Sequence, residues 1–157
     1  MLRRGSDNCS VLPIVLCKRG DRMKLILCVS DEMGVLFNER RQSSDIKVVQ
    51  DVIELASGSR VLAHTYSGKL FAEYPQVVLA DDYLTQAGED DYCFCEKGTP
   101  DANQVKSVIL YLWNRSYPWD VCLDDVIDMN QFQKTEETEF SGNSHEKITR
   151  QIFERIS

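Results

Sequence analysis

Only two histidines, His64 and His145, occur among 157 residues, and they stand 81 positions apart. That spacing excludes the paired histidines of a zincin helix, since His145-Glu146 has no second histidine one turn on. The six cysteines (9, 17, 28, 93, 95 and 122) form no C-x-x-C pair, so zinc spacing is missing too. No glycine-rich phosphate loop, nucleophile elbow or dinucleotide fingerprint appears. No apolar run approaches the ~18–20 residues that a membrane span needs. The expectation is a cytoplasmic protein with no cofactor, no metal and no membrane partner.

The composition that is present is ordinary for a globular domain: 43% apolar and 27% charged residues. The length fits one domain with its own core. Formal net charge is −7, but residues 1–22 hold five Arg/Lys against two Asp, a local +3, which leaves −10 over residues 23–157. An acidic domain repels a phosphate backbone at long range and counts against a dedicated duplex binder. Cys28, Cys93 and Cys95 fall inside apolar strand candidates, where a free thiol behaves as a small hydrophobe in a reducing compartment.

Two segments follow from these patterns. Residues 1–22 carry Arg3 and Arg4 ahead of a short run, Val11 to Cys17, that Pro13 interrupts. Lys18-Arg19 follows it in place of a small-residue cleavage site, so the run is a poor signal peptide. Met23 opens a natural first strand, and the extension is expected to be disordered or a start-site artefact. Residues 23–157 are expected to be one α/β domain.

Within that domain the patterns predict strands over Leu25–Val29, Val35–Phe37 (as hairpin partner of the first), Arg60–His64, Val77–Leu79, Tyr92–Glu96 and Ser107–Trp113, the last with helix as a competing reading. Phe132–Phe140 reads as an edge strand. A helix capped by Ser43 or Ser44 carries Ile46, Val49, Ile53 and Ala56 at spacings of three and four, with Gly58 at its close. Shorter helices are expected at Tyr66–Tyr74 and after Asn143, the last bearing Ile148, Ile152 and Ile156. Interleaved strands and helices argue for a single-domain α/β fold, a mixed β-sheet with helices packed on its faces.

Four polar clusters follow these elements: Asn38/Arg40/Arg41/Gln42, His64/Tyr66/Ser67/Lys69, Asn114/Arg115/Asp120 and Asn143/Ser144/His145/Glu146. Ligands of open α/β sheets gather at the carboxyl ends of strands. The expected ligand-binding set is Asn38, Arg40, Arg41, Gln42, Asn114, Arg115 and Ser144, an arginine clamp for an anion. His145 and Glu146 are the expected catalytic pair, with His64 as an alternative partner for His145, working by metal-independent acid–base chemistry. Each cluster also has a plainer role, in helix capping, solvated loops or packing.

The strings Met23-Lys24-Leu25, Phe37-Asn38-Glu39-Arg40-Arg41-Gln42-Ser43, Leu112-Trp113-Asn114-Arg115-Ser116-Tyr117-Pro118 and Ser144-His145-Glu146-Lys147-Ile148 resemble a family of short bacterial proteins that carry the label ribonuclease Z. The resemblance covers residues 23–157. The His-x-His-x-Asp-His motif of the metallo-β-lactamase-fold ribonucleases is absent, so it implies no metal ligands. Two functions remain open on this reading. One is metal-independent recognition or cleavage of a phosphoester, with RNA or a nucleotide as ligand. The other is a non-catalytic acidic module whose partner is a basic protein.

Overall fold

The computed structural model describes residues 22–156. All of the extension except Arg22 therefore lies outside the described residues. The first strand, β1 (Met23–Val29), is apolar at nearly every position because both of its faces are covered. Leu25, Leu27 and Val29 point into one core, and Ile26 points into the other. Two short strands follow, β2 (Gly34–Phe37) and β3 (Arg40–Arg41). Phe37 lies opposite Arg40 across the two-residue turn Asn38-Glu39, both at positive φ (51° and 62°). That left-handed pair is what a tight hairpin with native strand twist requires.

Helix α1 (Ile46–Leu55) begins at Asp45, whose side chain accepts the Lys47 N–H at 2.8 Å. The cap is therefore Asp45 and not Ser43 or Ser44. Val48, Val49 and Val52 are buried beneath the helix, with Ala56 just past its end. Ile46, expected on that stripe, is 50% exposed, because it sits at the helix start beyond the sheet's cover. Four further strands follow: β4 (Val61–Ala63), β5 (Val78–Leu79), β6 (Tyr92–Phe94) and β7 (Val105–Leu112). The short helix α2 (Tyr83–Gln86) lies between β5 and β6. After β7 come β8 (Val121–Cys122), α3 (Leu123–Val126), β9 (Phe132–Phe140) and β10 (Ile148–Arg155).

Seven strands form the main sheet in the order β5-β4-β6-β1-β7-β10-β9. The first five run parallel, while β10 is antiparallel to β7 and to β9. A second antiparallel sheet, β3-β2-β8, stands apart. The expected mixed α/β architecture is thus present. One core, with Val52, Phe94, Ile109 and Tyr111, lies between the sheet and α1. The other, with Tyr83, Leu110, Leu123 and Ile127, lies beneath α2 and α3.

Three sequence expectations are corrected. β2 does not pair with β1, because β6 and β7 already occupy both edges of β1 and leave it no free ladder. Thr65–Ser67 makes one 3-10 turn and residues 68–73 are further turns, where a helix over Tyr66–Tyr74 was expected. Gly68 and the closing Pro75 leave too short a window for a helix to propagate. The expected final helix is strand β10. Its Ile148 and Ile152 fit a 3.6-residue repeat, but the segment is short and sits between β7 and β9, and two ladders outweigh its local periodicity. No helix among the described residues is long and apolar enough to cross a membrane.

Candidate functional site

The parallel strands place their carboxyl ends together, and two polar networks occupy that edge. The first is built on Asp45, which is 4% exposed. One carboxylate gathers the backbone N–H groups of Asn143 (2.9 Å), Ser144 (2.9 Å), His145 (3.1 Å) and Lys47 (2.8 Å). It also accepts from His145 Nδ1 at 3.0 Å and from Ser144 Oγ at 3.2 Å. Burial alone raises the carboxyl pKa. The hydrogen bonds from Asn143, His145, Lys47 and Ser144 outweigh it and hold the group below the usual carboxylate range. The N–H groups of the loop before β10 are thus already filled by an internal carboxylate.

Because a carboxylate only accepts, Nδ1 of His145 must donate, which leaves Nε2 as the ring's acceptor. Tyr117 hydroxyl stands 2.9 Å from Nε2 and Ser43 Oγ 3.2 Å from it. Arg115 Nη1 donates to the Tyr117 oxygen at 3.3 Å. The ring is 3% exposed and stacks on Trp113, just past the end of β7, with centroids 4.5 Å apart and planes 22° apart. Asp45, His145 and Tyr117 therefore form a continuous hydrogen-bonded chain from the start of α1 to the surface. A cavity of about 550 Å³ opens there, lined by Phe37, Asn38, Arg40, Arg41, Gln42, Tyr117 and Pro118.

The second network is centred on Glu96, just past β6. Its carboxylate accepts from Arg41 Nε (2.8 Å), Arg41 Nη2 (3.0 Å) and Ser67 Oγ (2.6 Å). Arg41 also lies over the Tyr66 ring at 4.5 Å, and its backbone N–H donates to the Tyr66 hydroxyl. Lys97 sits over the same ring at 4.4 Å and bonds the Glu39 carbonyl. At the end of β5, Asp81 meets His64 Nε2 at 3.4 Å.

The expected site residues divide on this map. Asn38, Arg40, Arg41 and Gln42 share the cavity. Arg115 reaches it only through Tyr117. Asn114 donates to Lys147 O (3.1 Å) and Thr149 Oγ1 (3.0 Å), tying the end of β7 to the start of β10. Ser144 belongs to the Asp45 network. His145 is central to it, but Glu146 is exposed and lines a different surface cavity, with Glu139 and Lys147. The histidine's carboxylate partner is Asp45, 100 positions away, where sequence adjacency had pointed to Glu146. Sequence reasoning also missed Tyr117 and Glu96 as site groups. Their signal was position, each just after a strand end, a place many plain loop residues share. Among the described residues no group of three or more His, Cys, Asp or Glu is placed to hold a metal ion.

The five parallel strands closed by an antiparallel pair make a mixed-sheet α/β fold. The solved structure of dihydrofolate reductase from Enterococcus faecalis, complexed with NADP(H) and RAB-propyl, matches with a TM-score of 0.61. The match covers 87% of this chain and 97% of the reductase, at 7% sequence identity, and shows the fold. No protein-family model matches the chain, and no curated protein matches it. The phosphoester reading is corrected by this likeness: the matching fold belongs to an oxidoreductase, and the hydrolase and ribonuclease labels do not carry over. The geometry agrees, since Arg41 is bound to Glu96 and the helix start beside His145, that of α1, is already capped by Asp45.

Proposed function

We propose that this protein binds a small, uncharged ring-type molecule in the cavity between the β2–β3 hairpin and the Tyr117-Pro118 turn, and that Asp45, His145 and Tyr117 relay a proton from it. The observation that carries this reading is the buried hydrogen-bonded chain ending at the cavity wall. The step is balanced. The Tyr117 oxygen takes a proton from the ligand as its own proton passes to His145 Nε2, and the imidazolium so formed is stabilised by the Asp45 carboxylate. Return of the proton reverses each transfer.

The test is a ¹H–¹⁵N titration of the full chain with nicotinamide as an uncharged ring probe. Phe37, Asn38 and Gln42 amide signals should move together, and Tyr117→Phe should weaken the response severalfold. Shifts scattered away from the cavity, or an unchanged response in Tyr117→Phe, would overturn the reading.

A second reading, reduction with NADP(H), is favoured by the fold likeness, which spans nearly the whole reductase. The described residues do not fit that cofactor as they stand. A pyrophosphate needs free N–H donors at a helix start or a cation. The first-turn N–H of α1 is taken by Asp45, no helix opens directly after β6, and Asp81 and Glu96 place carboxylates at the ends of β5 and β6. An isothermal titration of the full chain with NADPH separates the two readings, and tight binding would favour this one.

A further inference from the structure

We infer that Glu96 is the specificity-determining residue of this cavity: by occupying Arg41 from within, it excludes anionic ligands, phosphates included. The inference rests on the cavity being the ligand site. Glu96 stands at the centre of the parallel ends, just past the strand beside β1, with its side chain 10% exposed. Arg41 is 25% exposed and is held by a two-point, charge-assisted contact to both carboxylate oxygens. Ser67 Oγ gives Oε1 a further donor at 2.6 Å. The guanidinium that lines the cavity therefore brings a neutral pair and not a net positive charge.

An entering phosphate has two courses. It can pull Arg41 away, which leaves the Glu96 carboxylate enclosed without its cation. Or it can sit against an intact pair, close to a like charge. Neither is favourable. The remaining cation of the lining, Arg40, is exposed, where solvent and salt screen its attraction. Lys97 does not substitute, because its amine is held at the Glu39 carbonyl and over Tyr66. An uncharged ring meets none of these costs and finds Phe37 and Pro118 as apolar walls.

The experiment titrates the full chain and its Glu96→Gln variant with inorganic pyrophosphate and with NADPH by calorimetry. Glu96→Asp, which keeps the charge, serves as control. Glu96→Gln should bind pyrophosphate at least tenfold more tightly than wild type, equivalent to ~1.4 kcal/mol. Glu96→Asp should show no such gain, and wild type should not bind NADPH detectably. Equal pyrophosphate affinity in wild type and Glu96→Gln overturns the inference, as does NADPH binding by wild type. If Glu96→Gln does not fold, the wild-type NADPH titration decides alone. Failure of the nicotinamide probe alongside the expected pyrophosphate gain would overturn the uncharged-ring ligand of the proposed function and support Glu96 as the group that keeps anions from Arg41.

Discussion

Replacing Asp45 by alanine removes the acceptor that joins three parts of the chain: the start of α1, the loop before β10 and the His145 ring. Of its donors, Asn143 and Ser144 are exposed and can turn to water. The His145 backbone N–H and ring Nδ1–H cannot, because the residue is 3% exposed. Two stranded buried donors at ~1–3 kcal/mol each, with ~1 kcal/mol for the lost helix cap, give about 3–7 kcal/mol. That is a large share of the ~5–15 kcal/mol typical of a domain. Urea unfolding of wild type and Asp45→Ala, followed by circular dichroism and tryptophan fluorescence, measures it. A loss below ~1 kcal/mol would refute the claim that this carboxylate organises the site.

The sign of the pH dependence follows from the lowered carboxyl pKa of Asp45. A depressed folded-state pKa contributes stability that is complete above the unfolded value near ~4 and lost as pH falls through the folded value. Asp45→Asn should therefore flatten the acid side of the stability curve and leave its slope near neutrality unchanged.

Other substitutions test other joints. A Cβ at Gly142 would stand 2.5 Å from His145 O and 2.8 Å from Asp45 Oδ2, so Gly142→Ala should destabilise by ~2 kcal/mol and broaden the His145 resonances. Tyr111→Phe loses the 2.6 Å bond to Asp51 and should cost about 1–2 kcal/mol in urea unfolding. Val52→Ala empties a fully buried position under α1 and should cost ~1–3 kcal/mol with an unchanged denaturant slope. Burial pushes the Cys93 thiol up to about 12 and the Cys95 thiol up to about 11. Both should resist a thiol reagent at pH 8 until the chain unfolds.

The parts of the fold that were legible in the sequence are those whose pattern reflects burial directly. The unbroken apolar run Leu25–Val29 in β1 reports a strand covered on both faces, and the charged run of β9 reports an exposed edge. The alternation at Tyr92–Glu96 separates the two cores as the residues fall: Cys93 and Cys95 on one side, Tyr92 and Phe94 on the other. Where pairing partners decide, local pattern failed. Ile148, Ile152 and Ile156 repeat like a helix, yet two neighbouring ladders hold the segment as β10.

The site divides in the same way. The Phe37–Ser43 stretch was conspicuous because hairpin turn and cavity wall are contiguous in sequence, and four of its polar residues do line one cavity. His145 was legible as an unusual residue beside a loop. Its true carboxylate lies 100 positions back, and Glu96 meets Arg41 across 55 positions. Such pairings are made by the sheet, and no spacing along the chain encodes them.

The central claim is that His145 links a buried carboxylate to a phenol at the cavity wall. Long-range ¹H–¹⁵N spectra of the histidine side chains test it directly, with two imidazoles to assign. His145 Nδ1 should carry a slowly exchanging proton that Asp45→Ala releases to fast exchange. The Nε2 signal should move both in Tyr117→Phe and on addition of nicotinamide. A rapidly exchanging or bare Nδ1, together with an Nε2 indifferent to Tyr117→Phe, would contradict it.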